Sequence, residues 1–389
     1  MIPSPPGMPK MSSQTKILYV NHETECGGAE HSLLTLLDGL DRESYEPHLA
    51  CSMEGPLTDR ARECGTEIHL VPMLFQGKVK KLMGMARATL RLRGLIRRTG
   101  IQLVHTNSII AGYCGVLAAK LCSVPSIWHV RDINYPETAK KFCTQAEKVI
   151  ANSHATAESL NFPARMSSRI EVVYNGVAPA FFEQIDARAD VHKTLNVNPT
   201  EKLIGMFGRL DPLKGHRDFL LGAKQILSSH SDTTFVVVGE TLFGRHAKYR
   251  EQLETLSRDL GVFGKVRFLG YRSDVAALMS GMDVVVQPSS GPEAFGRTIA
   301  EAHAVGRPVV GSSLGGIPEA VEDGVSGFLF PAGDAQELAR CVIKLLDNPA
   351  MAKSLGDAGR ASAIERFTQS HHATQVEAIY ASLSPARSD

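Results

Sequence analysis

The sequence predicts an α/β protein of two parallel-sheet domains facing a cleft. Three observations carry this. Short apolar runs alternate with amphipathic stretches along most of the 389 residues, the rhythm of repeated βα units. That length exceeds what a single hydrophobic core ordinarily organises, so two cores are expected. The alternation breaks once, over residues 181–200, where the chain is less apolar and holds no clear strand, as a linker would.

Residues 1–15 are rich in Pro and Ser with no apolar core, so they are expected to be disordered and not a signal peptide. The first domain then spans 16–180. Its first strand is expected at 16–22, Lys-Ile-Leu-Tyr-Val-Asn-His, followed by a turn, Glu-Cys-Gly-Gly-Ala-Glu, at 25–30. Residues 30–40 have apolar positions at helical spacing, completing a βα unit. Further strands are expected at 47–52, 67–71, 102–107, 126–131 and 148–152, and 170–177 closes this half. The second domain, 201–366, opens with a strand at 203–208. It continues with strands at 235–239, 266–270, 284–288, 309–313 and 327–330. Helices are expected at 335–347, 350–366 and about 370–383. The last lies in a terminal segment, 367–389, that could cross back to the first domain.

Bulk properties exclude several classes. A net charge of +1 argues against a general nucleic-acid binder. The seven cysteines are scattered, odd in number and without a Cys-x-x-Cys pair, which fits free thiols in the cytoplasm and no zinc site. No run of ~18 apolar residues is present, so no membrane-spanning helix is expected.

The chemistry concentrates in two loops. Gly-Pro-Glu-Ala-Phe-Gly-Arg-Thr-Ile-Ala-Glu, at 291–301, joins an apolar strand to a helix expected at 297–305. Glu293 falls in the loop and Glu301 about one turn into the helix, at the carboxyl end of a strand, where open parallel sheets bind ligands. The amides of Phe295, Gly296 and Arg297 would face out of the helix start, which favours an anion. Gly-Arg-Leu-Asp-Pro-Leu-Lys-Gly, at 208–215, also follows a strand and precedes a helix. Arg209 and Lys214 could both reach one diphosphate, each worth about 4 kcal/mol at ~4 Å and an effective dielectric near 20. The plain alternatives are solvated glutamates and solvated basic residues in turns.

Together, GRLDPLKG, EAFGRTIAE and the later GGIPEAVEDGVSGFLFPAGD resemble the donor half of retaining glycosyltransferases of the GT-B architecture, family 4 (glycosyl transferases group 1). Gly27-Gly28-Ala29-Glu30, Ser-Ile-Trp-His-Val-Arg-Asp at 126–132 and Val-Tyr-Asn-Gly-Val at 173–177 fall in the family's order, so the resemblance covers nearly the whole chain. It implies two Rossmann-like domains and a nucleoside-diphosphate sugar, UDP- or GDP-linked, as donor. Arg209 and Lys214 would grip the diphosphate, with Gly208 beside them. Glu301 would hold the ribose and Glu293 the sugar hydroxyls. Ala294 and the backbone of Phe295, Gly296 and Arg297, with Thr298, would contact sugar and phosphate. Gly270, Tyr271 and Arg272 would frame the base, and Gly27 and Gly28 would close on the phosphate. His129, expected to point into the cleft, would touch the sugar near the reaction centre; a hydrogen-bonded core histidine is its alternative. Asp132 would either act on the acceptor or pair with Arg131.

The implied activity is transfer of a hexose to an acceptor hydroxyl with retention. It would serve cell-surface polysaccharide, lipopolysaccharide or glycolipid assembly, on a glycan or lipid-linked acceptor. His129, Glu293, Arg209 and Lys214 are the expected catalytic group, with no metal or other cofactor. A nucleotide-sugar epimerase or hydrolase of the same fold, and an inactive sugar-nucleotide-binding subunit, stay open. Residues 76–98 carry eight Lys/Arg and no acid, interleaved with apolar residues. They read either as a helix docking peripherally on an anionic membrane face or as one packed on the sheet with a solvated basic face.

Overall fold

The computed structural model describes residues 14–73, 78–183, 187–241, 246 and 248–383; side chains of 78–81 are not described. The expectation of a disordered start at 1–15 falls almost wholly outside these residues.

The first sheet contains β1 (Thr15–Val20), β2 (Tyr45–Cys51), β3 (Glu67–Leu70), β4 (Leu103–Thr106), β5 (Ser126–Val130), β6 (Lys148–Ala151) and β7 (Ile170–Val172). They lie in the order β3-β2-β1-β4-β5-β6-β7. The second sheet contains β8 (Lys202–Phe207), β9 (Thr233–Val238), β10 (Val266–Gly270), β11 (Val284–Gln287), β12 (Val309–Ser312) and β13 (Gly327–Phe330), in the order β10-β9-β8-β11-β12-β13. Every strand pair is parallel.

Both sheets are covered on two faces, and side chains alternate between them. In β8, Ile204 and Met206 enter one core while Leu203 and Phe207 enter the other. This explains the uninterrupted apolar character of β9, whose six residues are all buried. The strand order reverses at β1/β4 and at β8/β11, so each domain has a crevice at the carboxyl ends of those strands.

Two expectations change, over 170–177 and over 181–200. The strand expected over 170–177 stops at Val172; beyond it Val177 bridges to Thr368, and its amide donates to the Phe367 carbonyl at 2.8 Å. The two chain crossings between domains therefore touch. The stretch read as a linker over 181–200 holds a helix, Arg188–Leu195, whose Val191 and Leu195 bury in the second domain's core. Its apolar pattern is only three positions deep, too short to stand out in the sequence. The terminal helix Gln369–Leu383 leaves the second domain and packs on the first. The Gln369 amide donates to the Thr35 carbonyl (3.1 Å) and to Asp38 (2.7 Å), and Tyr380 is fully buried beside Tyr19.

The domains are also clasped face to face. The Glu319 carboxylate accepts from the His154 and Ala155 amides, at 2.8 and 2.7 Å, and from the Tyr174 hydroxyl at 3.1 Å. These amides open the helix His154–Ser159, where an acceptor is favoured. Ser153 and Thr156 donate their hydroxyls to the Ala294 carbonyl.

Candidate functional site

β8 ends at Phe207 and the chain turns through the 208–215 loop. Asp211 shapes it: one carboxylate oxygen accepts from the Leu213 amide (3.0 Å), the other from Arg209 Nε (3.1 Å). Gly215 closes the loop at φ +79°, and a Cβ there would sit 1.6 Å from the Pro288 carbonyl oxygen. Only glycine permits both the left-handed backbone and that approach. The result brings the loop after β8 against the loop after β11.

There Lys214 Nζ meets Glu293 Oε2 at 2.7 Å, and the Ser289 hydroxyl donates to the same oxygen at 3.0 Å. The pair is half-shielded: the lysine side chain is 28% exposed and the glutamate 12%. Burial pushes the Glu293 carboxyl up. The Lys214 ammonium, with Ser289 and Gln287, outweighs this and holds it below the usual carboxylate range. The buried Gln287 side-chain oxygen has no partner of its own.

One turn onward, Glu301 is buried in the helix Arg297–Ala304 and pairs with Arg297 at 3.1 Å. Here burial wins over the arginine, and the carboxyl is raised. Two carboxylates on one strand-to-helix connection are thus driven in opposite directions. Gly296 caps this helix at φ +81°, and the Thr298 hydroxyl ties its first turn to the Phe207 carbonyl at 3.1 Å. The first amides of the helix, those of Arg297 and Thr298, have no acceptor within it.

Tyr271 is 66% exposed after β10, and Arg272 is held by Asp274 at 2.6 and 2.8 Å. Gly270 accepts from the Gly239 amide at 2.8 Å, drawing the ends of β9 and β10 together. At the other domain's mouth, Gly27 caps the helix Gly28–Gly39, and its amide donates to Glu30 at 3.1 Å. A Cβ at Gly28 would meet nothing within 4 Å, so nothing in the protein itself demands glycine there; the same is true of Gly208 apart from its φ of +144°.

His129 is a correction. It was expected to point into the cleft, yet it has no exposed surface. On β5 its ring turns inward, with Nδ1 at 3.1 Å from His105 Nε2 and 3.2 Å from an Arg131 nitrogen. His105 continues to the Tyr380 hydroxyl (2.7 Å) and Tyr380 to Tyr19 (2.9 Å). β5 ends at Val130, and Arg131 just beyond it packs back against the His129 ring. Asp132 does not pair with Arg131; it is exposed, and its carboxylate accepts from the Asn134 amide at 2.9 Å.

Arg131 is instead held by neutral acceptors: Asn107 at 2.6 Å, Ser32 at 2.7 Å and Asn175 at 2.5 Å. Among the described residues no carboxylate forms an ion pair with it, and burial lowers it to about 10. Asn107 reaches Asn21 at 3.2 Å, and Asn21 reaches Glu30 at 3.2 Å, which links Arg131 to the Gly27 turn. Asn107, Asn175 and Ser32 were not singled out in the sequence. An asparagine just past a strand end, as at 107, was the available signal. The two half-sites approach each other: burial lowers the His31 imidazole to about 3, and Arg297 from the opposite domain adds to that push.

The chain matches the family described as Glycosyl transferases group 1 over residues 187–362 and Glycosyltransferase Family 4 over residues 26–181. It is 25% identical over 358 residues to the UDP-Gal:alpha-D-GlcNAc-diphosphoundecaprenol alpha-1,3-galactosyltransferase of Escherichia coli, across 88% of this chain and 90% of that one. It is 32% identical over 305 residues to the D-inositol 3-phosphate glycosyltransferase of Streptomyces scabiei, across 72% of this chain and 67% of the relative. Among solved structures, Anabaena HepE in complex with UDP-glucose superposes with a TM-score of 0.84 at 26% identity, covering 95% of this chain and 100% of that one.

Proposed function

The chain belongs to the group 1, family 4 glycosyltransferases, and on that premise we propose that it transfers a hexose from a UDP-sugar to an acceptor hydroxyl with retention at the anomeric carbon. It has the GT-B fold and is an enzyme that uses a nucleotide-sugar donor. The observation that carries the finer reading is the Lys214–Glu293 pair at the switch point between β8 and β11. An ammonium has three donors, so Lys214 can keep Glu293 and still reach a phosphate.

In this reading Arg209 and Lys214 stabilise the departing diphosphate. Glu293 accepts from the sugar hydroxyls, and Glu301 from the ribose. The amides of Phe295, Gly296 and Arg297, with Thr298, orient sugar and phosphate. Gly28 and Gly208 leave open space for a close approach. Gly270, Tyr271 and Arg272 border the base. The bond from the anomeric carbon to the phosphate oxygen breaks, with its electron pair going to the diphosphate. The acceptor oxygen attacks on the same face, and its proton passes to the departing phosphate oxygen. Arg131 supplies positive charge from the opposite domain, and buried His129 orients it. The reaction draws its cations from the protein, so added Mg²⁺ or Mn²⁺ should not change the rate.

The UDP donor is supported by the UDP-glucose held by HepE, and a lipid-linked acceptor by the printed name of the E. coli relative. A membrane-side acceptor also suits the helix Lys78–Thr99. On its described part Leu82, Met83 and Leu90 are 73%, 52% and 60% exposed, beside exposed Arg87 and Arg91. Gln76 and Gly77 lie outside the described residues, as do the side chains of Lys78, Lys80 and Lys81. No helix among the described residues is long and apolar enough to cross a membrane.

The test is a panel of UDP- and GDP-hexoses scored by thermal shift, followed by product analysis with a polyprenyl-diphosphate sugar acceptor and assignment of the new anomeric centre by NMR. A UDP-hexose should stabilise the protein and yield a retained linkage. An inverted product overturns the stereochemistry. Donor turnover without acceptor would make the protein a hydrolase or epimerase, and binding without turnover a silent subunit.

A further inference from the structure

On the edge of the first sheet farthest from β5, strands β2 and β3 pair with His48 opposite Glu67 and Ala50 opposite His69. Side chains two apart on a strand share a face, so His48, Glu67 and His69 converge. His48 is 1% exposed, the His69 side chain 15% and that of Glu67 61%. His48 Nδ1 lies 3.1 Å from His69 Nε2 and 3.3 Å from Glu67 Oε2, and His69 Nε2 lies 3.6 Å from Glu67 Oε1.

The far side of the His48 ring decides what these atoms are. Nε2 lies 3.0 Å from Glu46 Oε1, a carboxylate that also receives Lys16 Nζ at 3.0 Å. An ionised carboxylate only accepts, so Nε2 carries the proton. In a neutral ring Nδ1 is then a bare lone pair. It faces His69 Nε2 at 3.1 Å and a Glu67 oxygen at 3.3 Å; a proton on His69 Nε2 would join the two rings, and a cation held by all three groups would take that proton's place.

We propose that His48, His69 and Glu67 form a zinc site, with water completing the coordination on the open Glu67 side. Zinc–ligand bonds of ~2.0–2.1 Å at tetrahedral angles separate neighbouring ligand atoms by roughly 3.3 Å. The three separations bracket that value. Two imidazoles and one carboxylate select zinc over magnesium or calcium, which take oxygen. Glu46 acts on the other ring nitrogen, as carboxylates do behind metal-bound histidines, fixing the tautomer that leaves Nδ1 free to bind. The site is separate from the reaction centre: β1 and β4 lie between it and β5. Its effect is to pin β3, an edge strand of four residues, onto β2. No cysteine takes part, which is why a search for Cys pairs does not find it.

The tag-free protein, stripped with chelator and dialysed, is titrated with ZnCl2 by calorimetry, with MgCl2 as control, and its bound metal is counted by mass spectrometry. One zinc per chain is expected, with a rise in Tm of roughly 5 °C at a hundredfold excess over Kd and no response to magnesium. His69→Gln and Glu67→Gln, at the less buried positions, should weaken zinc at least tenfold while the stripped variants keep the parent's Tm within about 2 °C. Glu46→Gln should weaken zinc ~10- to 100-fold without changing the stoichiometry. Zinc affinity unchanged in H69Q and E67Q would assign the metal to other groups among the 14 histidines and seven cysteines, and overturn the proposal. Absence of zinc binding by the parent would do the same and leave His48 as a ring hydrogen-bonded between His69 and Glu46.

Discussion

Replacing Lys214 by methionine keeps the length of the side chain and removes its charge. Glu293 then loses a partner at 2.7 Å and retains the Ser289 hydroxyl at 3.0 Å. Removing one member of a buried pair costs ~3–5 kcal/mol, because the other charge stays behind uncompensated. The lysine side chain is 28% exposed, so screening brings the expectation to the low end, about 3 kcal/mol. Spread over a domain of this size, that is a drop of roughly 6–12 °C in its Tm. Glu293→Gln in the Lys214→Met background should restore most of it, since the stranded charge is gone. The two single changes should therefore couple by about 2 kcal/mol in thermal or urea denaturation. Transfer should fall at least a hundredfold in Lys214→Met, equivalent to ~2.7 kcal/mol of barrier, with UDP binding weakened as well. The double variant separates fold from function: it should regain stability without regaining activity. Additivity of the two changes within about 0.5 kcal/mol would refute the coupling. A Lys214→Met enzyme that transfers at the parent rate would remove the lysine from the diphosphate site.

Three further outcomes are expected. Glu301→Gln should leave Tm unchanged or raise it, since burial disfavours this carboxylate, yet it should weaken UDP binding at least tenfold by calorimetry; unchanged binding would release Glu301 from the ribose role. Arg87→Gln with Arg91→Gln should weaken cosedimentation with anionic vesicles ~10- to 30-fold, at ~1 kcal/mol per cation, and equal binding would return the helix to solvent. The buried imidazoles of His216 and His303 are lowered to about 4 and that of His372 to about 3, in each case by burial first. Their folded values lie below the unfolded 6.5, so stability is full above about pH 6.5 and is lost as pH falls toward 4. The slope approaches ~1.4 kcal/mol per pH unit for each histidine in that window. The carboxyls of Glu30, Asp218, Glu301 and Glu377, raised by burial, act with the opposite sign, while the imidazoles of His22, His31, His105 and His129, also lowered by burial, add to the loss. A Tm that is flat or rising between pH 6.5 and 4.5 would contradict this burial.

The two chemistry-bearing loops were legible because each is continuous in the chain. Arg209 and Lys214 share one loop, and Glu293 and Glu301 share one connection, so spacing alone put them at strand ends. His129 was misjudged because its position near the strand end was read as facing the cleft, whereas His105 and His372, distant in the chain, pack against its ring and bury it. Arg131, just past the strand end, packs beside that ring and is itself shielded from water. Its holders, Ser32, Asn107 and Asn175, come from three separate elements, and no spacing rule joins them. The helix Arg188–Leu195 was missed because one short amphipathic turn resembles a linker when its covering partner is unknown.

The sequence by itself determined the alternation of strands and helices, the two sheets, and the residue types at the crevice between β8 and β11. Those follow from periodicity and from glycines and charges set by near neighbours in the chain. The tertiary structure decided the rest. It closed Lys214 onto Glu293, 79 residues away, so that the same residue type, glutamate, is held low at 293 and raised at 301. It sent the final helix back to bury Tyr380 beside Tyr19 and His105, and it set Glu319 on the amides at 154 and 155. The reason is physical: a carboxylate's state depends on what excludes water from it and which charge lies within a few ångströms, and the folded chain supplies both from distant segments.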